Sequence, residues 1–171
     1  MKELISNEEI NARLKELGAK ISNDYKNKEF TMVVVLKGAF ITAANLALNI
    51  NGNMNIEFTR VSSYKNATES SGNIEVKLDF AKDLTGKNIL IVEDIIDSGR
   101  TLKYLKEEYL NRNANDVKIM TLLDKPSRRV VDVDVDYVGF TIEDKFVVGY
   151  GLDNCDKLRE LPYIGYIEQW K

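Results

Sequence analysis

Two short apolar runs in this chain carry no alternation: residues 30–36 (FTMVVVL) and 88–92 (NILIV). A strand with one wet face alternates apolar and polar side chains, so a strand apolar at every position has to be covered on both sides. That is the situation inside a parallel sheet layered between helices. Parallel neighbours also need a long return connection, usually a helix. The sequence supplies both returns. Lys37-Gly38-Ala39 breaks the first run and a weakly charged helix is expected over 40–49, while Leu102, Leu105 and Tyr109 mark an amphipathic helix after the second.

The remaining pattern fits the same class. Ser6 and Glu9 have the spacing of a capping box, and Ile10, Leu14, Leu17 and Ile21 recur on one helical face, which predicts a helix over about 7–26. Residues 54–61 and 73–80 alternate instead, with Ile74, Val76, Leu78 and Phe80 on one side and Glu75, Lys77 and Asp79 on the other. They read as antiparallel partners with one wet face. The link between them, 62–72 (SSYKNATESSG), is polar and aperiodic, either a disordered loop or a functional lid. Residues 116–123, 136–142 and 146–150 supply further strands, and 130–136 (VVDVDVD) reads as a loop entering an edge strand. The expected fold class is α/β, a mainly parallel sheet flanked by helices. At 171 residues, with no repeat, proline-rich linker or composition break, one domain over 1–171 is expected.

Residue counts remove several chemistries. There is no histidine, which excludes Ser-His-Asp and Cys-His nucleophiles, HExxH metal sites and imidazole acid–base catalysis. Lone Cys155 can form neither an intrachain disulfide nor a CxxC pair, as fits a reducing compartment. With 24 basic and 27 acidic residues the net charge is -3, so no whole-molecule field draws in nucleic acid or an anionic membrane. The start, MKELISNEEI, is acidic and broken by polar residues, unlike a secretory signal. No apolar run approaches the roughly 20 residues of a membrane span. A cytoplasmic location is expected.

The segment 91–102 (IVEDIIDSGRTL) carries the chemistry. A buried strand delivers Glu93 and Asp94 to its carboxyl end, where open α/β sheets bind ligands. Asp97, Ser98, Gly99, Arg100 and Thr101 then turn into the next helix. Such a turn favours a phosphate: main-chain N–H groups point into the bend, the helix start adds partial positive charge, and two hydroxyls offer donors. Two carboxylates repel phosphate but accept strongly from a diol, and they can hold a divalent cation directly or through water. A sugar phosphate satisfies both halves. The same residues alone also describe an acidic strand end before a Ser-capped helix. Two near matches fail: 81–88 (AKDLTGKN) lacks the first glycine and the terminal Ser or Thr of a P-loop, and Gly149-x-Gly151-x-x-Asn154 lacks the last glycine of a dinucleotide fingerprint.

The string from Glu93 to Thr101 resembles the phosphoribosyl-diphosphate signature of type I phosphoribosyltransferases. With LKGA at 36–39, Ser62-Ser63-Tyr64, Lys125 after a strand, KFVVGYGLD at 145–153 and Arg159 beyond, the order is similar to that of the hypoxanthine-guanine branch, from about residue 5 onward. The resemblance implies a small hood, built from the N- and C-terminal segments, over a parallel sheet. It implies that Glu93 and Asp94 hold the ribose hydroxyls directly or through Mg2+, with Asp153 as a further metal ligand. Asp97 would exchange a proton at nitrogen-7 of the purine, and Ser98, Gly99, Arg100 and Thr101 would surround the 5-phosphate. Lys37 and Gly38 would shape the diphosphate site, where the family tends to have a non-proline cis peptide after the position of Leu36, and Arg159 would meet the diphosphate. Lys125 would donate to the 6-oxo oxygen, Phe146 would stack on the base, and Val147 would offer it main-chain contacts.

Charge logic agrees with that assignment. Breaking the bond from the anomeric carbon to diphosphate leaves an electron-poor sugar and gathers negative charge on the leaving group, which a cation and main-chain donors stabilise with no covalent intermediate. The base loses a proton as it attacks, and Asp97 could accept it if nearby acids or burial raise its pKa. A lysine donor favours a 6-oxopurine over adenine. The expected activity is purine salvage, joining hypoxanthine or guanine to 5-phosphoribosyl 1-diphosphate with Mg2+, in a homodimer or homotetramer. The alternatives are a regulator that only senses the sugar phosphate and a xanthine-preferring transferase. Sequence leaves the choice among the 6-oxopurines open.

Overall fold

The computed structural model describes residues 1–64 and 73–168. Most of the polar link singled out above, 65–72, lies outside these described residues, so its role as a lid is not addressed by them. The element order is β1 (Lys2–Ile5), α1 (Asn7–Asp24), β2 (Glu29–Leu36), α2 (Phe40–Ala47), β3 (Asn53–Tyr64), β4 (Asn73–Leu78), β5 (Asn88–Ile96), α3 (Arg100–Asn111), β6 (Asp116–Asp124), β7 (Tyr137–Thr141), β8 (Val147–Val148) and β9 (Ile164–Tyr166). A short 3-10 turn at Pro126–Arg128 follows β6.

Six strands form the central sheet in the order β4-β3-β2-β5-β6-β7. Every pairing is parallel except β3 with β4, the pair whose alternation predicted one wet face. The two unalternating runs are the central neighbours β2 and β5, in register as Val33 with Ile91 and Val34 with Val92. Their successive side chains go to opposite cores. Met32, Val34, Leu90 and Val92 pack with Leu14, Leu17 and Leu46 of α1 and α2, whereas Val33, Val35, Ile89 and Ile91 pack with Leu102, Leu105 and Tyr109 of α3. Removing both faces of a strand from water is what keeps these positions apolar throughout.

Helix α1 starts where its capping box placed it: Ser6 Oγ accepts from the Glu9 N–H at 3.2 Å, and the Ser6 N–H donates to Glu9 Oε2 at 2.8 Å. The chain ends meet in a second, three-stranded antiparallel sheet of order β1-β9-β8, the small hood the resemblance implied. Among the described residues no helix is long and apolar enough to cross a membrane.

From β2 the chain crosses through α2 to β3 on one side, and from β5 through α3 to β6 on the other. The strand order therefore reverses between β2 and β5, which opens a crevice beyond their carboxyl ends.

Candidate active site

Both strands end in that crevice with the residues expected there. The bond Leu36–Lys37 is a cis peptide, and Gly38 follows it. Gly38 is where β2 meets β5: a Cβ built on it would lie 1.7 Å from Asp94 Oδ2 and 2.6 Å from Asp94 Cγ. No other residue fits while Asp94 keeps this position. Gly151, at φ 101°, packs on the opposite side, where a Cβ would come within 2.0 Å of the Gly38 carbonyl oxygen. The ends of β2, β5 and the loop after β8 are thereby drawn into van der Waals contact.

A cleft of about 140 Å3 runs along residues 93–99 to Thr101 and Leu102. Its floor is the turn from β5 into α3, which Gly99 permits by taking φ 84° as the N-cap residue. The turn is held from one side. Arg129 Nη1 donates to the Asp97 carbonyl at 3.2 Å, and the Val130 and Val131 N–H groups donate to the Ser98 carbonyl at 3.0 and 3.3 Å. The Arg100 N–H donates to Ser98 Oγ at 3.3 Å. The first N–H groups of a helix have no carbonyl one turn back, so with its carbonyls engaged this turn presents donors, the arrangement an anion needs.

Lys125 follows β6, and its N–H donates to the Ile96 carbonyl at 3.0 Å, which fixes it beside the end of β5. It is only 6% exposed, and its ammonium is 3.8 Å from Asp144 Oδ1. Asp144 also meets Arg128 Nε at 3.1 Å, and Arg128 Nε stands 3.6 Å from Asp97 Oδ1. Lys125 and Asp97 are thus joined through Asp144 and Arg128. Asp97 is not buried: half of its side chain is exposed, and it makes an ion pair with Arg128. The strand expected over 146–150 is shorter, Val147–Val148, because Gly149 and Tyr150 take φ 93° and 51°. The Val147 side chain sits in the core, so only its main chain can serve a ligand, and Phe146 is half-buried beside it.

Arg159 is locked to the loop below: its Nη1 donates to the Gly151 carbonyl at 2.7 Å, and the Gly151 N–H donates to the Arg159 carbonyl at 2.9 Å. Its Nη2 is 3.0 Å from Asp153 Oδ1 and 3.2 Å from Asp156 Oδ1, and Lys37 Nζ meets the same Asp156 oxygen at 3.0 Å. Lys37, Gly38, Glu93, Asp94, Asp153 and Arg159 therefore come together, with the turn 97–101 adjoining and Lys125 linked to it. Arg100 is exposed. Asp144, Arg128, Gly151 and Asp156 are the additions that sequence reading missed. Of these, only Gly151 lay inside a motif already singled out.

Glu93 is 8% exposed and lies against Asp94, whose N–H donates to Glu93 Oε1 at 3.1 Å. Burial, and then the neighbouring Asp94 charge, hold the Glu93 carboxyl well above the usual carboxylate range. Burial raises Asp94 as well, opposed by its contact with Glu93, the Ile95 N–H at 2.7 Å and the Arg159 charge. Such a pair of acids, Glu93 buried and Asp94 half-buried, gains from a cation or from hydroxyl donors. Among the described residues no three acidic or cysteine side chains converge as a complete metal cage, and Asp153 is engaged by Arg159 and by the Asp156 N–H at 2.7 Å. Two carboxylates with substrate oxygens suit Mg2+, which is seldom held by an all-protein cage.

The same electrostatics set a stability prediction. A raised carboxyl pKa means the folded state prefers the protonated form, so its contribution is complete below the unfolded value near 4.5 and is lost as pH rises through the folded value. Glu93→Gln removes that loss. In metal-free thermal unfolding the variant should match the parent at pH 4.5 and exceed it by roughly a few degrees at pH 8. A difference in Tm that does not grow with pH would remove burial of this charge as the cause.

Residues 1–154 match the family described as "Phosphoribosyl transferase domain". The hypoxanthine-guanine phosphoribosyltransferase of Bacillus subtilis is 48% identical across 98% of this chain and 93% of its own, and that of Streptococcus pneumoniae R6 is 46% identical with the same coverage. Among solved structures, a hypoxanthine phosphoribosyltransferase of Staphylococcus aureus superposes with TM-score 0.93 at 42% identity, covering 98% of this chain and 91% of that one. A hypoxanthine-guanine phosphoribosyltransferase of Bacillus anthracis gives 0.92 at 44% identity, covering 98% of both.

Proposed function

The chain belongs to the phosphoribosyl transferase family, and from that premise we propose that the crevice between β2 and β5 is where it exchanges diphosphate for a purine on an activated ribose. It is a purine-salvage transferase that joins hypoxanthine or guanine to 5-phosphoribosyl 1-diphosphate, giving IMP or GMP and diphosphate. The observation that carries the choice of site is the contact of the Asp94 carboxylate with the Gly38 Cα, which puts a diol-accepting pair beside a phosphate-binding turn.

In this arrangement Glu93 and Asp94 accept from the ribose hydroxyls, while the N–H groups and hydroxyls of Ser98, Gly99, Arg100 and Thr101 hold the 5-phosphate. Lys37 and Arg159 face the diphosphate and offset the charge that gathers on it as its bond to the sugar breaks. Lys125 donates to the 6-oxo oxygen, Phe146 stacks on the base, and the Val147 main chain contacts its edge. Asp97 takes the proton that the attacking base gives up. Glu93 and Asp94 would hold Mg2+, which when bound neutralises phosphate charge, whereas Asp153, expected as a further ligand, is instead taken up by Arg159 and the Asp156 N–H.

The cytoplasm and a homodimer or homotetramer complete the proposal. Ile56, Phe58 and Leu78, each more than 40% exposed on β3 and β4, offer a second copy an apolar face. Nothing in the comparisons favours a sensor or a xanthine enzyme. Base consumption with hypoxanthine, guanine, xanthine and adenine tests the assignment: the first two should disappear at least about 100-fold faster than adenine, whose amino group would face the Lys125 donor. Equal consumption of adenine would refute the lysine's part.

A further inference from the structure

We infer that Asp156 is an internal stand-in for the diphosphate, a carboxylate that holds the two facing cations in place until phosphate oxygens displace it. This rests on the assignment of Lys37 and Arg159 to the diphosphate, and it adds a residue that assignment does not contain.

The geometry is specific. Lys37, after β2, and Arg159, beyond β8, both direct a nitrogen at one oxygen, Asp156 Oδ1, at 3.0 and 3.2 Å. Asp153 Oδ1 also meets Arg159 Nη2 at 3.0 Å, but Asp156 is the anion that Lys37 and Arg159 share, and it offsets their mutual repulsion. Asp156 gains nothing from burial, being 70% exposed, so packing does not explain its position. The loop presents it at a conformational cost: Cys155, Asp156 and Leu158 take φ 53°, 61° and 74°, a region that side chains bearing a Cβ disfavour. What pins the loop is local, the Asp156 N–H on Asp153 Oδ2 at 2.7 Å and the reciprocal main-chain pair of Asn154 and Lys157 at 3.0 and 3.1 Å.

A stand-in of this kind works in both directions. The incoming diphosphate must take Lys37 and Arg159 from Asp156, and the departing diphosphate is replaced by it. Competition from the carboxylate weakens diphosphate binding and hastens release, while the cations stay ordered between turnovers. A purely structural Asp156 would act with the opposite sign, because its removal would loosen the loop and weaken diphosphate binding.

Titration of magnesium diphosphate into the purified full chain decides between these. Asp156→Ser should bind diphosphate about fivefold tighter than the parent at low ionic strength, a modest gain because exposed ion pairs are weak. The gain should shrink in about 0.3 M salt, which screens the competing charge. Asp156→Asn should shift the same way by less, since its amide oxygen can still accept from Lys37, and the KM for hypoxanthine should not move. If both variants bind diphosphate as the parent does or more weakly, while Arg159→Gln abolishes binding, the stand-in is overturned and the cation assignment stands. If Arg159→Gln binds diphosphate as well as the parent, the cation assignment itself falls and takes the stand-in with it.

Discussion

Replacing Asp97 by Asn is expected to lower kcat by about 10²- to 10⁴-fold, the range that one positioned proton acceptor contributes, while leaving affinity for phosphoribosyl diphosphate close to that of the parent. Asn has the same shape, and the side chain is half exposed, so the fold has little to lose. The carbonyl of residue 97 still accepts from Arg129 Nη1 at 3.2 Å, which keeps the turn tied back and the phosphate donors in place. Proton acceptance disappears, together with the charge that faces Arg128 at 3.6 Å. Single-turnover kinetics separate the two quantities: slow chemistry with unchanged binding supports the assignment, and a kcat within a few-fold of the parent removes Asp97 from the reaction. A protein that merely sensed the sugar phosphate would have no turnover to lose.

The second large effect lies at Gly38. A Cβ there meets Asp94 Oδ2 at 1.7 Å and Cγ at 2.6 Å, far inside any tolerated contact. Asp94 is short, and its Oδ1 already accepts from the Ile95 N–H at 2.7 Å, so relief comes by turning the carboxylate out of its present place. A displacement of about 1 Å in such a group costs on the order of 100-fold in rate, so Gly38→Ala should lose at least about 100-fold in kcat/KM. Gly52→Ala is the internal control, because a Cβ there finds only the Phe30 ring at 3.8 Å and the Ile50 side chain at 4.0 Å. It should fold and turn over like the parent. Comparable activity in both alanine variants would mean that the contact between the ends of β2 and β5 does not position the site.

Why the place of Asp97, in the turn from β5 into α3, was legible in the sequence and the Gly38 contact was not has a physical cause. Asp97 belongs to a continuous segment in which strand, turn and helix start share one local conformation, so spacing along the chain is spacing in space. Gly38 touches Asp94 only because β2 and β5 are neighbours in the sheet, and no local pattern encodes that. The same distinction runs through the fold. The runs 30–36 and 88–92 announced β2 and β5 because burial on both faces leaves few polar positions, Thr31 and Asn88 alone, yet β5 continues through Glu93 and Asp94 to Ile96, held by pairing with β6. Strands β1 and β9 left no signal, being four and three residues long and stabilised by joining opposite ends of the chain. Arg128 and Asp144 were equally silent, since neither lies in a motif and their value is the ion-pair path they form between Lys125 and Asp97.

Phosphorus NMR of the purified chain with phosphoribosyl diphosphate, Mg2+ and hypoxanthine bears most directly on the crevice as a site of group transfer. Substrate resonances should decay while those of IMP and free diphosphate grow in equal amounts, and Gly38→Ala should slow all three together. Phosphoribosyl diphosphate that persists unchanged with both hypoxanthine and guanine, or that breaks down without forming nucleotide, would contradict it.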